Sequence, residues 1–595
     1  MILFDIYHLL GGGKPVDNWR NIFQNWIQAE HLDPKLKQQL IDMKTDKQEM
    51  EDAFYQHLTF GTGGMRGVLG PGTNRMNIYT VRKAVQGLSF YLKKHCVNYK
   101  DRGVAIAYDS RYMSKDFALE AAKVLGVHGI KAYVFESLRP TPLLSFAVRY
   151  LGSVAGIMIT ASHNPPQYNG FKVYNEAGSQ ISLKEANEIT QFIKKVESEL
   201  TIDVLSEEEL EEQNLLHWTN GEVDHAYLEQ LLKISKLDEE TIAKEKRLNI
   251  VFTPLHGTAS NLVSEGLKQL NFTNVHPVKE QTIPDPEFST VQSPNPEERQ
   301  AFHQAIQLGK KVDADILLAT DPDADRLGVA VKDEEGYSVL TGNQLGCLLL
   351  DYILKHTNKY MLKNARIIKT IVTTELGRAI ANSYGVKTID TLTGFKYIGE
   401  KINEFDRTGE TFIFGFEESY GYLINSFARD KDGVQAAVMA CEMAEYWKNK
   451  GKTLLDALHE LYKQHGFYKE GLDALTLEGK SGQEKIGMIV NNFRSNKREE
   501  IGNMETLYVE DYLERKRTYK IAPKKIEKID LPQENVVKYV LEDNCWVCLR
   551  PSGTEPKVKW YYGAYGETEK KVDEKLQMLR ETLKEMIVQP LEVKG

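Results

Sequence analysis

An apolar run ends abruptly at Thr160-Ala161-Ser162-His163-Asn164 in the stretch GIMITASHNPPQYNGFKVYN, residues 156–175. The run suits a buried strand, and the two prolines with Asn169-Gly170 end it and read as a turn. Ser162 is left on a stiff perch, as a nucleophile or a phosphate carrier requires. The flanks do not make the G-x-S-x-G of a serine hydrolase. His163 is poorly set to be its base, because adjacent side chains at a strand end diverge. A serine–asparagine turn capping the next element is the plain alternative; Lys172, a nearby cation, favours chemistry.

A second stretch, Asp321-Pro-Asp323-Ala-Asp325-Arg326, follows the apolar ADILLAT. Three carboxylates at alternate positions resemble the start of an EF-hand, but Arg326 and Lys332 stand where that loop needs glycine and glutamate. Three acidic groups on one tight turn repel one another, and a hard divalent cation, Mg²⁺ best of all, relieves the repulsion. The third stretch, FIFGFEESYGY (412–422), sets Glu417, Glu418 and Ser419 where they suit hydrogen bonding to a polyol. In the fourth, RPSGTEPKVKWYY (550–562), Arg550 precedes Ser552, Gly553 and Thr554. A guanidinium with hydroxyls and flexible backbone amides is phosphate-recognition chemistry, although a hairpin turn accounts for Ser-Gly as well.

These loops need strands behind them. GVAIAYD (103–109) precedes a helical KDFALEAAKVLGVHG and then KAYVFE. RLNIVFTP (247–254) leads through two helical stretches to ADILLATD, and ARIIKTIVTT (365–374) leads through LGRAIANSYG to KTIDTLTG (387–394). Strands alternating with helices of about a dozen residues mean α/β layers with mixed, mostly parallel sheets, and ligand loops belong at the strand ends. The pattern occurs three times, so we expect three related α/β domains. After about residue 470 a charged region, a strand-like alternation and a last amphipathic helix indicate a smaller α+β domain. The expected divisions are an extension over 1–14 and domains over 15–215, 216–335, 336–465 and 466–595. The charged stretch 197–216 reads as a solvated face or linker.

At 595 residues the chain is too long for one core. Apolar content of 42% with 27% charged residues is that of an ordinary globular protein. A net charge of −9 argues against a nucleic-acid or membrane surface. Five scattered cysteines make no disulfide framework and fit a reducing cytoplasm. The N-terminus lacks a basic region before its apolar residues and a small-residue cleavage site, so a signal peptide is not expected.

Taken in order, the T-A-S-H-N-P, D-x-D-x-D-R, E-E-S and R-P-S-G-T-E-P stretches resemble the α-D-phosphohexomutase superfamily, over roughly 50 to 595. FGTGGMRG (60–67), YDSRYMS (108–114), LTGFK (392–396) and ARDKDG (428–433) extend the resemblance. It implies four domains around a central cleft. Gly415-Phe416-Glu417-Glu418-Ser419 departs from the usual G-E-E-S, and with the chain length it resembles the branch holding phosphoglucomutases and phosphopentomutases.

The resemblance implies that Ser162 carries a phosphoryl group and that Ser162, Asp321, Asp323 and Asp325 hold Mg²⁺. His163 or Lys172 would act as general acid or base. Arg66, Arg326, Thr393, Gly394, Glu417, Ser419, Lys431, Arg550, Ser552, Gly553 and Thr554 would bind substrate. The implied reaction is glucose 1-phosphate ⇌ glucose 6-phosphate through bound glucose 1,6-bisphosphate, with ribose or deoxyribose 1-phosphate as alternative substrates. An aspartyl-phosphate enzyme and a catalytically silent sugar-phosphate sensor are the rival readings.

Overall fold

Short runs of β-branched and small apolar residues build the first sheet. Its strands are β1 (Gly64–Val68), β2 (Val104–Tyr108), β3 (Ala132–Phe135), β4 (Ala155–Ile159), β5 (Tyr168–Asn175) and β6 (Leu216–Thr219), in the order β1-β5-β4-β2-β3-β6. β2 pairs in parallel with β3 and β4, and β3 with β6, whereas β5 runs antiparallel to β1 and β4. Every residue of β2 and β4 is buried, as expected of central strands covered on both faces. The computed structural model describes residues 19–477, 479–496, 498–552 and 557–592. The expected extension over 1–14 lies outside them, as do Gly553 and Thr554.

The described chain divides into two units. The first runs to Val339 and also takes in Gly399–Arg407 and Gly421–Glu445. Besides the first sheet it holds β7 (Ile250–Thr253), β8 (Val275–Pro277), β9 (Ile316–Thr320), β10 (Leu327–Asp333) and β11 (Gly336–Val339). These lie in the order β11-β10-β9-β7-β8, with parallel pairs around β7 and antiparallel pairs around β10. Three helices, Trp19–Gln28, Pro34–Met43 and Lys47–Phe54, form a separate small core around Phe23, Trp26, Leu40 and Phe54.

That helical layer corrects one expectation. Glu199, inside the charged stretch taken for a solvated face, is buried. It accepts a hydrogen bond from Trp26 Nε1 at 3.1 Å and pairs with Lys83 Nζ at 2.8 Å. A single carboxylate in an acidic run is thus used to tie the helical layer to the helix Ile78–His95.

The second unit contains β12 (Ala365–Thr370), β13 (Lys387–Thr391) and β14 (Thr411–Glu417), with β12 parallel to both neighbours. The short strand β15 (Gly421–Leu423) belongs to the first unit, where Gly421 bridges Arg326. The remainder of the second unit is an eight-stranded sheet of β16 (Phe467–Thr476), β17 (Glu500–Ile501), β18 (Met504–Asp511), β19 (Lys516–Tyr519), β20 (Ile526–Lys528), β21 (Val537–Leu541), β22 (Trp546–Pro551) and β23 (Lys557–Gly566). Its pairings are antiparallel, and the helices Gly479–Ser495 and Glu569–Glu592 supply residues such as Ile486, Val490, Val572 and Leu579 to its core. This is the α/β class with an α+β C-terminal domain that the sequence pattern indicated.

Candidate active site

Ser162 follows β4, and its backbone lies in the left-handed region at φ 51°. Few non-glycine residues adopt that conformation. It has a visible consequence. The turn swings the next side chain around, so that His163 Nδ1 lies 3.1 Å from Ser162 Oγ. The expectation that the two side chains diverge is therefore wrong, because it assumed extended backbone. Asn169-Gly170 is not a turn either: both residues lie in β5, opposite Gly67 and Arg66 of β1. Glycine is required at 170 for another reason, since a Cβ there would sit 2.6 Å from the Thr160 carbonyl oxygen.

The acidic turn follows β9 and is held from several sides. Ala324, at φ 54°, closes it with a hydrogen bond to the Asp321 carbonyl at 2.9 Å. Thr258 donates to the Pro322 carbonyl through both its amide and its hydroxyl. Gly257 lets the backbones meet, because a Cβ there would come within 2.4 Å of Pro322. Thr141 donates its amide to the Asp323 carbonyl at 2.9 Å and its hydroxyl to Asp323 Oδ2 at 2.8 Å.

The serine and the acidic turn meet. The Ser162 hydroxyl donates to Asp321 Oδ2 at 2.6 Å. Asp321, Asp323 and Asp325 are all buried, and each offers an oxygen within 4.8 Å of the others'. Asp323 Oδ1 and Asp325 Oδ1 are buried without a hydrogen-bond partner. Buried polar atoms are rarely left so, and orphaned carboxylate oxygens in a cluster of hard donors fit a divalent cation. Among the described residues this is the grouping of metal-ligating side chains that can hold one.

Cations surround the cluster. Lys172 Nζ lies 2.8 Å from Asp323 Oδ2 and 3.7 Å from Asp325 Oδ2, and Lys431 Nζ lies 3.0 Å from Asp325 Oδ2. Burial and the neighbouring Asp323 and Asp325 charges push the Asp321 carboxyl well above its ordinary range. Burial works the same way on Asp323, but the Lys172 ammonium outweighs it and, with the Thr141 hydroxyl, holds Asp323 low. Burial opposes the Lys172 charge, yet Asp323 and Asp325 keep that ammonium above its ordinary value. Burial, with Arg326 and Arg66 nearby, holds the His163 imidazolium well below its ordinary range. Arg66 Nη1 donates to Asn164 Oδ1 at 2.6 Å. Arg326 donates its backbone amide to Asp321 Oδ1 at 3.0 Å, while its side chain is paired with Glu297.

Several positioning groups carry no chemical signal in the sequence. Tyr174 donates to Asp430 Oδ2 at 2.7 Å, and Asp430 Oδ1 accepts the Lys431 amide at 2.7 Å. Asp432 caps the helix Gly433–Lys448 through the amides of Val434 and Gln435, with Tyr227 on its carboxylate. The ARDKDG stretch marked Lys431 but not the tyrosines that hold its neighbours.

The second unit holds the remaining candidates. Glu417 ends β14 and is buried, with Glu418 and Ser419 half-buried after it. Glu418 Oε2 accepts hydrogen bonds from Thr370 Oγ1 at 3.0 Å and Thr373 Oγ1 at 3.1 Å. Thr393 and Gly394, the latter at φ 118°, form the bend after β13. Arg550 Nε lies 3.3 Å from Glu534 Oε1, and Ser552 follows β22 with its amide on the Lys557 carbonyl at 2.7 Å. Burial alone would lower the Arg550 guanidinium, but Glu534, Tyr561 and Glu418 keep it raised.

Fold and site define a class: a multidomain α/β protein whose strand-end loops bring one serine, three buried carboxylates and two lysines together. Within that class, the chain belongs to the phosphoglucomutase/phosphomannomutase family. Models of that family's alpha/beta/alpha domains I, II and III and its C-terminal domain match residues 57–200, 225–336, 341–465 and 512–581. A phosphoglucomutase of Staphylococcus aureus (strain MRSA252) is 41% identical over 520 residues, covering 86% of this chain and 90% of the relative. One of Staphylococcus haemolyticus (strain JCSC1435) is 38% identical over 538 residues, covering 90% and 95%. Among solved structures, the open form of the Paramecium phosphoglucomutase pp63/parafusin aligns at a TM-score of 0.65 and 16% identity, over 89% of this chain and 96% of that one. A phosphoglucomutase/phosphomannomutase family protein of Burkholderia thailandensis aligns at 0.62 and 18% identity, over 89% and 97%.

Proposed function

We propose that the protein is a phosphosugar mutase that interconverts α-D-glucose 1-phosphate and glucose 6-phosphate by way of a phosphoserine at Ser162. The observation that carries this reading is the Ser162 hydroxyl, 2.6 Å from Asp321 in a buried three-aspartate cluster. The likeness to curated phosphoglucomutases at about 40% identity supports glucose as the sugar. Domain divisions at 215, 335 and 465 and a cytoplasmic location belong to the same proposal.

In the forward half-reaction the phosphoryl group leaves Ser162 Oγ for the free hydroxyl of the sugar phosphate. The Oγ–P bond breaks, the new sugar O–P bond forms, the sugar hydroxyl gives up its proton, and Ser162 Oγ regains one. The product, glucose 1,6-bisphosphate, presents its other phosphate and the same steps run in reverse. His163, placed 3.1 Å from Ser162 Oγ, and Lys172 are the proposed acid–base groups.

Ser162, Asp321, Asp323 and Asp325 are the proposed holders of Mg²⁺, which when bound supplies charge neutralisation and Lewis-acid polarisation. A phosphoserine brings about −1.5 to −2 in charge, and Lys172, Lys431, Arg66 and Arg326 offset it together with the carboxylates. Glu417, Ser419, Thr393 and Gly394 are assigned to the sugar. Arg550 and Ser552 are assigned to the phosphate that is not reacting, a charge-assisted contact of the kind guanidinium groups make well; Gly553 and Thr554 are proposed with them.

The test is initial-rate isomerisation of glucose 1-phosphate, mannose 1-phosphate, ribose 1-phosphate and deoxyribose 1-phosphate in parallel. The glucose ester should be used best. A preference for either pentose ester would move the assignment to phosphopentomutase, and no turnover of any would leave a sensor.

A further inference from the structure

The stretch Tyr108-Asp-Ser-Arg-Tyr-Met-Ser114 has no part in the chemistry above, yet its arginine is buried beside the serine loop. Arg111 Nη2 donates to the Ser162 carbonyl at 2.5 Å and to the Asn164 carbonyl. Its Nη1 donates to the carbonyls of Pro165 at 2.8 Å and Tyr168 at 3.1 Å. Four backbone oxygens of one loop therefore converge on one guanidinium. Behind it, Asp109 Oδ2 lies 3.4 Å from Arg111 Nε, while Asp109 Oδ1 accepts the Arg111 amide at 3.0 Å and the Ser114 hydroxyl at 2.7 Å.

Over its face, the guanidinium carbon sits 4.9 Å from the centroid of the Phe288 ring. Phe288 is buried and lies at φ 51°. An aromatic residue in the left-handed region is an outlier that persists only where surrounding structure enforces it.

We propose that Arg111 is a positioning residue for phosphoryl transfer, with Phe288 as the platform that keeps its guanidinium in plane. The serine loop presents Ser162 Oγ only because Ser162 occupies an unfavourable backbone conformation. That conformation needs an external brace, and a planar fork of five donors is suited to four carbonyl acceptors. A lysine keeps the charge but offers one ammonium in place of the fork. Arg111 touches neither the reacting atoms nor the acidic cluster's free oxygens; it acts through the direction it gives Ser162.

The inference rests on Ser162 being the phosphate carrier, so the experiment measures both. Arg111→Lys and Phe288→Leu are compared with wild type for kcat, KM, thermal midpoint and phosphate on Ser162 by peptide mapping. Arg111→Lys should lower kcat about a hundredfold, the scale of a 1 Å misplacement. KM for glucose 1-phosphate and the Mg²⁺ half-saturation should stay within about threefold. Phe288→Leu should lower kcat in the same sense by about tenfold, and it decides the matter if Arg111→Lys does not fold. If wild type carries phosphate on Ser162 and a folded variant keeps kcat within about twofold, the positioning role is overturned. A fall in kcat matched by an equal fall in folded fraction overturns it too. Phosphate on an aspartate in wild type overturns the carrier reading itself.

Discussion

At the scale of single residues, the proposed chemistry depends on how Asp321, Asp323 and Asp325 share charge. Asp323 is committed to Lys172 and Thr141 through Oδ2, while its Oδ1 is buried without a hydrogen-bond partner. Asp323→Asn should weaken Mg²⁺ binding and lower kcat, and isothermal titration with Mg²⁺ checks the first without relying on turnover. Affinity unchanged from wild type would mean that the cluster is not the cation site. Ser162 itself was legible in the sequence because an apolar strand ends on it and prolines follow. The approach of His163 was not, since a positive φ at a serine leaves no mark in residue types. The stretch holding Arg111 was marked by the resemblance, but its contacts were not legible: its partners are backbone carbonyls about fifty residues away, which any sequence supplies.

At the scale of elements, β2, β9 and β12 were readable because each is an apolar run ending at a polar loop. The boundary of β5 was not, because Asn169-Gly170 obeys a close backbone contact rather than turn chemistry. Glu470 on β16 is a second such case. Asn343, at the start of the helix Gly342–Lys355, donates to Glu470 Oε2 at 2.8 Å, and the Thr374 amide donates to Asn343 Oδ1 at 3.2 Å. One carboxyl thereby joins the first strand of the eight-stranded sheet to the loop after β12. Burial pushes that carboxyl from 4.5 up to about 7, against the hydrogen bonds from Thr374 and Asn343.

The sign follows from linkage. Between pH 4.5 and about 7 the folded state holds a proton that the unfolded state has released, so this group's contribution to stability falls as pH rises through the window. Glu470→Gln does not titrate. Its stability relative to wild type should therefore rise across the window, by at most about 3 kcal/mol, and level off on either side. Denaturant melts at several pH values check this. A difference independent of pH would mean that Glu470 is ionised throughout.

At the scale of the whole molecule, the division into α/β units and a C-terminal α+β domain was legible from repeating strand–helix alternation. The helical layer at residues 19–54 was not, since its attachment uses Trp26 and Lys83 on one buried glutamate. A cation held by the three aspartates would also act at this scale, because a ligand that binds only the folded chain stabilises all of the structure coupled to its site. Mg²⁺ at a hundred times its Kd should add about 2.7 kcal/mol of stability, seen as a rise in thermal midpoint that EDTA reverses. Asp323→Asn should lose most of that rise. An equal rise in the variant would place the ion elsewhere.

The most direct test of the central claim follows one phosphoryl group through one turnover. Enzyme labelled with radioactive phosphate is mapped, then mixed with excess unlabelled glucose 1-phosphate in a rapid-quench experiment. The label should sit on the peptide containing Ser162, resist hydroxylamine, and pass into glucose 1,6-bisphosphate and glucose 6-phosphate at least as fast as kcat. Ser162→Ala should neither take up label nor turn over while remaining folded. Label that is released by hydroxylamine, or that leaves Ser162 more slowly than the enzyme turns over, would contradict the account.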